Sequence, residues 1–307
     1  MYFKNNFYEG LIEIIILPKI NLYNMILIAD SGSTKTDWVI INKDGTGRKT
    51  FHTIGYNPYF IDSEAIYYSL SENLLKDLDG TSISEVYFYG AGCSTPEKKD
   101  IVRKALTRSF PYVPDIFVGH DLLASARALL GKGKGFAAIL GTGTNSCLYD
   151  GFDVFHNIDS LGYLMGDEGS GSYIGKKILR DFMRGNLQPE LQARFKERFQ
   201  IEDNEQIFTT LYQTQFPNRY LASFCKFADE YVSHPYIKNK VRDGFRDFFK
   251  NLVSKYPNYK EYTFNCVGSV GFVFKEILEE VALSYDMKIG KVIKSPMDDL
   301  IQFHLNA

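Results

Sequence analysis

Ile28-Ala29-Asp30-Ser31-Gly32-Ser33-Thr34-Lys35-Thr36 is the stretch on which the reading of this chain turns. Met25-Ile26-Leu27-Ile28 leads into it and Trp38-Val39-Ile40-Ile41 follows it. Both runs are short and β-rich, which predicts a strand, a tight turn and a returning strand. One Gly, two Ser and two Thr give the turn a pliable backbone with amides and hydroxyls to offer. Such groups hold phosphate oxygens, and a carboxylate at the strand exit, Asp30, can hold the water shell of Mg²⁺. The Walker spacing is absent and the turn leads into a strand, so this is no P-loop. Alone, it reads equally well as a polar hairpin turn.

The same grammar returns further on. Phe136–Leu140 is a strand, Gly141-Thr142-Gly143-Thr144-Asn145-Ser146 a Gly/Thr turn, and Cys147–Tyr149 the returning strand. Each hairpin is followed by a third strand, at Lys49–His52 and at Val154–His156. Two such openings predict a duplicated α/β domain. Around them the pattern predicts a helix from Ser63, as its cap, to about Leu78, and a strand at Val86–Tyr89. A helix Pro96–Ser109, a strand Asp115–Val118 and a helix Leu122–Leu130 come next. A helix starts near Ser172, and the chain stays helical to about Lys255, with turns at Gly185, Pro189, Pro217 and Pro235. Phe264–Val267 is a strand, a helix runs from Gly268 to about Leu283, Lys288–Ile293 is the last strand and Met297–Leu305 the last helix.

Two phosphate-type hairpins predict a nucleotide clamped between two halves, Thr34 on one side and Thr142 with Gly143 on the other. Gly268-Ser269-Val270-Gly271 is a loop where backbone comes close to a flat base or ribose, because glycine has no side chain to obstruct it. Phosphoryl transfer also needs a group that accepts the acceptor's proton. Asp121 follows the strand Asp115–Val118, at the C-terminal end where α/β proteins place their sites. It also precedes a helix, so it reads either as that base or as a first-turn carboxylate. His120 beside it reads as structural. Asn57, Asn145 and Asp167 can grip a hydroxylated substrate or form turns, and Glu168 beside Asp167 opens a weaker metal reading.

Composition narrows the class. The 307 residues are 45% hydrophobic and 23% charged, with net charge −2 and no Lys/Arg block, which gives no electrostatic support for nucleic acid or membrane binding. Cys93, Cys147, Cys225 and Cys266 are widely spaced, as reduced thiols of a cytoplasmic protein are. Residues 1–24 contain an apolar run, Leu11–Ile20, too short and too broken to span a membrane. They read as an extension outside the fold, with Met25 as its functional start.

Five segments carry a resemblance. Asp30–Trp38 (D-S-G-S-T-K-T-D-W), Gly55–Tyr59 (G-Y-N-P-Y), Gly141–Ser146 (G-T-G-T-N-S), Leu161–Gly171 (L-G-Y-L-M-G-D-E-G-S-G) and Ser295–Leu300 (S-P-M-D-D-L) follow one another in the order and spacing seen elsewhere. From Met25 onward the chain resembles the N-acetylglucosamine kinase-like ATPases of the sugar kinase, heat-shock chaperone and actin superfamily. The resemblance implies an α/β fold of two duplicated actin-like (ribonuclease H-like) ATPase domains around a central cleft. One would be 25–118 plus 295–307, the other 119–294. It implies ATP-dependent phosphorylation of an amino-sugar hydroxyl, the 6-hydroxyl of N-acetylglucosamine foremost. By matched position Asp121 is the catalytic base, Asp30 holds hydrated Mg²⁺, and Thr34 and Thr142 contact ATP phosphates. Gly268, Ser269 and Gly271 face adenosine. Asn57, Thr144, Asn145, Ser160, Leu161, Gly162 and Asp167 line the sugar. Homodimers are common among similar proteins. Ser160 and Asp299 stand where glycine is usual, the first leaving the choice of sugar open. The family also holds activator ATPases of 2-hydroxyacyl-CoA dehydratases, with cysteines grouped around a shared iron–sulfur cluster, and sensors with the same fold.

Overall fold

The computed structural model describes residues 25–32, 34–78 and 83–306. The extension expected at 1–24 lies outside the described residues. The chain opens with β1 (Met25–Ser31), β2 (Lys35–Asn42) and β3 (Lys49–Ile54), followed by α1 (Ser63–Asn73) and β4 (Ile83–Gly90). α2 (Pro96–Ser109), β5 (Asp115–His120) and α3 (Asp121–Leu130) complete the first half. The second half starts the same way, with β6 (Gly135–Leu140), β7 (Thr144–Tyr149) and β8 (Val154–Asn157). A helical region follows: α4 (Gly162–Met165), α5 (Gly171–Met183), α6 (Pro189–Phe199), α7 (Asn204–Gln213), α8 (Pro217–Ser223), α9 (Cys225–Glu230) and α10 (Pro235–Asn251). Last come β9 (Phe264–Val267), α11 (Ser269–Val273), α12 (Lys275–Ser284), β10 (Ile289–Ile293) and α13 (Met297–Leu305).

The strands form two five-stranded sheets, β3-β2-β1-β4-β5 and β8-β7-β6-β9-β10. β1 pairs antiparallel with β2 and parallel with β4, and β6 pairs antiparallel with β7 and parallel with β9. The two sheets therefore share order and direction, the duplication that the repeated hairpins predict.

Strand alternation sorts the side chains into three cores. Leu27, Ala29, Trp38 and Ile40 turn outward beneath α1 and α2. Ile26, Ile28, Val39 and Ile41 turn inward, where α3 and α13 lie between the sheets and meet Ala137, Cys147 and Tyr149 of the second. Phe136, Ala138, Leu140 and Leu148 turn to the far side, covered by α5, α10 and α12. By the same alternation Asp30 continues the inward row of Ile26 and Ile28, past the end of the apolar packing.

A few elements differ from expectation. The cap of α1 is Asp62, whose Oδ1 accepts from the Ala65 amide at 2.9 Å, not Ser63. The helix stops at Asn73 and a 3₁₀ turn, Leu75–Asp77, covers the rest. The helix expected from Gly268 is broken into α11 and α12 at Phe274, whose ring is buried against the far core. Pro189, Pro217 and Pro235 each open a helix, where the missing amide costs nothing.

Between α13, α3 and the first sheet sits a part-buried polar contact. Arg127 Nη1 donates to the Tyr89 hydroxyl at 2.6 Å, which lies 2.9 Å from His304 Nε2. The imidazole stacks on Tyr87 with centroids 3.7 Å apart. Burial and the Arg127 charge push the His304 pKa down to about 4. The folded protein thus favours neutral His304, and this contribution is full above the unfolded value near 6.5 and is lost as pH falls through about 4. His304→Gln is expected to flatten the fall in melting temperature between about pH 6.5 and pH 4.5, as a pH series of thermal melts will read.

Candidate functional site

The inward ends of both hairpins open onto a cleft of about 800 Å³. From the first sheet it is lined by Asp30, Gly32, Thr34 and Asp37, and from the second by Thr142, Gly143, Thr144 and Asn145. Asp121, Asp167, Gly268 and Ser269 complete the walls that the sequence anticipated.

Each hairpin is set by short local bonds. The Gly32 amide donates to Lys35 O at 3.0 Å, closing the first turn. Ser31 Oγ and Thr36 Oγ1 meet at 2.7 Å behind it, on the face away from Asp30. In the second hairpin the Gly141 amide donates to Gly143 O at 3.0 Å, and the amides of Gly171 and Ser172 donate to the carbonyls of Gly141 and Thr142. The start of α5 is thereby fastened to the turn. Thr34 and Thr142 remain exposed to the cleft.

Asp121 is the first residue of α3 and is not its cap. His120 caps it, Nδ1 accepting from the Leu122 amide at 3.2 Å. Asp121 Oδ1 lies 3.1 Å from the same nitrogen, yet is buried without a hydrogen-bond partner among the described residues. A buried carboxylate oxygen left bare is costly unless a ligand supplies the donor. His120 is structural, as expected.

Asp30 feels that carboxylate. Its pKa is pushed up to about 7, by burial first, then by the charges of Asp121 and Asp37, with Lys35 pulling the other way. Asp37 sits directly opposite Asp30 on β2, and like charges so placed repel. It is held by His52 Nδ1 at 2.7 Å and Lys35 Nζ at 2.8 Å. This surplus of negative charge fits a divalent cation. Among the described residues no group of three or more His, Cys, Asp or Glu could hold a metal ion; a divalent cation there would be held by Asp30 through water.

Asp167 Oδ1 accepts from the Thr144 amide at 3.1 Å, and Thr144 Oγ1 donates to Glu168 O at 2.7 Å. Asp167 is in the left-handed region (φ 55) and its amide donates to Ser160 O at 2.8 Å. Burial raises its pKa. A Cβ on Gly143 would lie 3.0 Å from Asp167 Oδ2, so that position must stay bare for the carboxylate to reach the cleft.

Other expected residues stand further off. Asn57 is buried beneath Gly92, its Oδ1 accepting from the Tyr59 amide at 3.0 Å. Ser160 stands one step behind Asp167, while Leu161 is 60% exposed and Gly162 opens the short α4. None of these four lines the cleft. Gly271 packs behind the wall, where a Cβ would be 2.6 Å from Cys266 Sγ. Glu168 Oε1 accepts from Asn251 Nδ2, away from the cleft. The sequence reading missed Asp37, His52, Arg48 and Asn218, which do line it. The register that sets Asp37 opposite both Asp30 and His52 was the available signal for the first two.

The geometry can be set beside known proteins. No protein-family model matches the chain, and neither does any curated protein. Among solved structures, a protein of Porphyromonas gingivalis provisionally assigned as an N-acetylglucosamine kinase is 39% identical, with a TM-score of 0.87. The match covers 92% of this chain and 99% of that one. The chain belongs to the N-acetylglucosamine kinase-like ATPases. Two more distant structures bear on the fold alone. A Chromobacterium violaceum protein with the same provisional assignment is 13% identical, covering 92% of this chain and 99% of that one at TM-score 0.68. A Streptomyces griseus ROK-family glucokinase, solved with glucose and AMPPNP, is 15% identical, covering 91% and 98% at TM-score 0.53. This N-acetylglucosamine kinase-like ATPase thus has the two-domain actin-like fold, with its paired hairpins on one cleft.

Proposed function

We propose that the protein is a sugar kinase that transfers the γ-phosphoryl group of ATP to an amino-sugar hydroxyl, foremost the 6-hydroxyl of N-acetylglucosamine. The observation that carries this reading is the convergence of both hairpins on one cleft that Asp121 also lines. The 39% identity to the P. gingivalis protein supports the amino sugar as substrate class.

In this reading Thr34 and Thr142, with the neighbouring amides, hold the phosphates from opposite sides. Gly268 and Ser269 take the adenosine, with Gly271 packing the turn beneath them. Thr144, Asn145 and Asp167 orient the sugar, and Asn57, Ser160, Leu161 and Gly162 approach it as the halves, 25–118 plus 295–307 and 119–294, close. Asp121 accepts the hydroxyl proton as the oxygen attacks phosphorus in line. Closure keeps out water, the competing acceptor. Mg²⁺, when bound beside Asp30, neutralises charge on the phosphate oxygens. Asp30→Ala is expected to raise the Mg²⁺ concentration for half-maximal rate by about 10–100-fold; an unchanged metal titration would remove Asp30 from that role.

The activator alternative loses support from the cysteines. Cys93, Cys147, Cys225 and Cys266 are all buried, distributed over three separate cores, with none at the surface to share a cluster. All four cysteines are free, and among the described residues no helix is long and apolar enough to cross a membrane. The test is ADP release by purified protein over a panel of amino sugars and hexoses. Release that depends on N-acetylglucosamine supports the reading, and release indifferent to every sugar contradicts it.

A further inference from the structure

The two halves touch through aromatic rings. Phe60, in the connection between β3 and α1, meets Phe216, the residue ahead of α8, edge to face, with centroids 5.9 Å apart and planes at 79°. Arg219 lays its guanidinium on the Phe216 ring, 3.6 Å from the centroid, and its Nε is buried without a hydrogen-bond partner among the described residues. A cation held on a ring face fixes that ring's plane, so Phe216 presents a set surface to the opposite half. Phe60 is 57% exposed. A ring this open adds little to the core, so its contact with Phe216 stands apart from core packing.

One end of this stack leads to the Asn57 turn, which stands back from the cleft, and the other to a cleft residue. The Phe60 amide donates to Asn57 O at 2.9 Å, and the Tyr59 amide to Asn57 Oδ1, so residues 57–60 form one tight turn. On the other side Asn218, two residues past Phe216, lines the cleft, and α8 packs on α5, whose start is bonded to the second hairpin. A shift of either half is therefore felt by the other through the ring pair.

We propose that Phe60, Phe216 and Arg219 form a clasp that couples sugar binding at the Asn57 turn to nucleotide affinity at the α8 side, with Phe60 as a positioning residue. This rests on the kinase reading above. Coupling of this kind is reciprocal: each ligand tightens the other by one factor.

The factor is the ratio of Mg·ADP dissociation constants without and with saturating N-acetylglucosamine, measured by calorimetry on the full chain. Wild type is expected to give a ratio above one. Phe60→Ala is expected to lower that ratio by about two- to twelve-fold, the worth of an edge-to-face pair, while leaving Mg·ADP affinity without sugar unchanged. Phe60→Tyr keeps the ring and retains the ratio. Phe216→Ala lowers it as Phe60→Ala does, and the double variant lowers it no further. A wild-type ratio of one, or a ratio that both alanine variants preserve, overturns the clasp. Absence of sugar binding in the wild type overturns the kinase reading itself, so the two failures are told apart.

Discussion

Asp121→Asn is expected to lower the rate of sugar-dependent ADP release by about 10²–10⁴-fold, the usual worth of a positioned general base. The change keeps size and shape and removes the negative charge, and with it the capacity to take a proton. Helix α3 does not depend on this carboxylate, because His120 supplies the cap. Mg·ADP affinity should stay near wild type, since Asp121 meets the acceptor hydroxyl and not the nucleotide. The protein should be no less stable than wild type. The Asp121 charge is one of those that push Asp30 up to about 7, and removing it relieves a repulsion. Rate, ADP affinity and melting temperature together separate a lost base from a damaged fold. Near-normal turnover would remove Asp121 from the chemistry.

Gly268→Ala carries the second large effect. Gly268 has φ 129, outside the range a residue with a Cβ adopts at low cost, and that Cβ would lie 2.3 Å from Leu140 O. Backbone carbonyl and strand β6 cannot step aside without disturbing the second hairpin. Strain and overpacking together are expected to cost about 2–5 kcal/mol, which corresponds to a fall of about 3–8 °C in melting temperature. ATP affinity should fall with it, because Gly268 and Ser269 line the cleft. Gly141→Ala is the control for stability: a Cβ there meets nothing within 4 Å and the backbone is in an ordinary region. Thermal melts of the two variants, side by side, decide whether the close approach at Gly268 matters as argued.

Local rules carried much of the architecture. Pro96 at the first turn marks the start of α2 as the structure has it, and Met297–Leu305 emerges as α13 with the bounds its periodicity predicts. Both hairpins were legible because alternation on flanking strands is a period-two signal that needs no long-range knowledge. The cap at Asp62 was missed because Asp62 and Ser63 are both good capping residues, and only backbone geometry chooses between them. Phe274 breaks the last long helix for a tertiary reason, the burial of its ring in a core built by distant segments. The site followed the same division. Thr34, Thr142, Asp121 and Asp167 were legible as cleft residues because each lies in a glycine-containing turn or just past a strand end. Asp37 and His52 became visible only with the β1–β2–β3 register, and Asn218 lies in a helical stretch with no local mark.

In the proposed reaction one cleft brings nucleotide phosphates, an acceptor hydroxyl and Asp121 together. A crystal structure with Mg²⁺, a non-hydrolysable ATP analogue and N-acetylglucosamine is the test. The terminal phosphate is expected between Thr34 and Thr142, with the sugar 6-hydroxyl about 2.6–3.2 Å from the Asp121 carboxylate. A nucleotide bound away from both hairpins, or a sugar whose hydroxyls all lie beyond reach of Asp121, would contradict it.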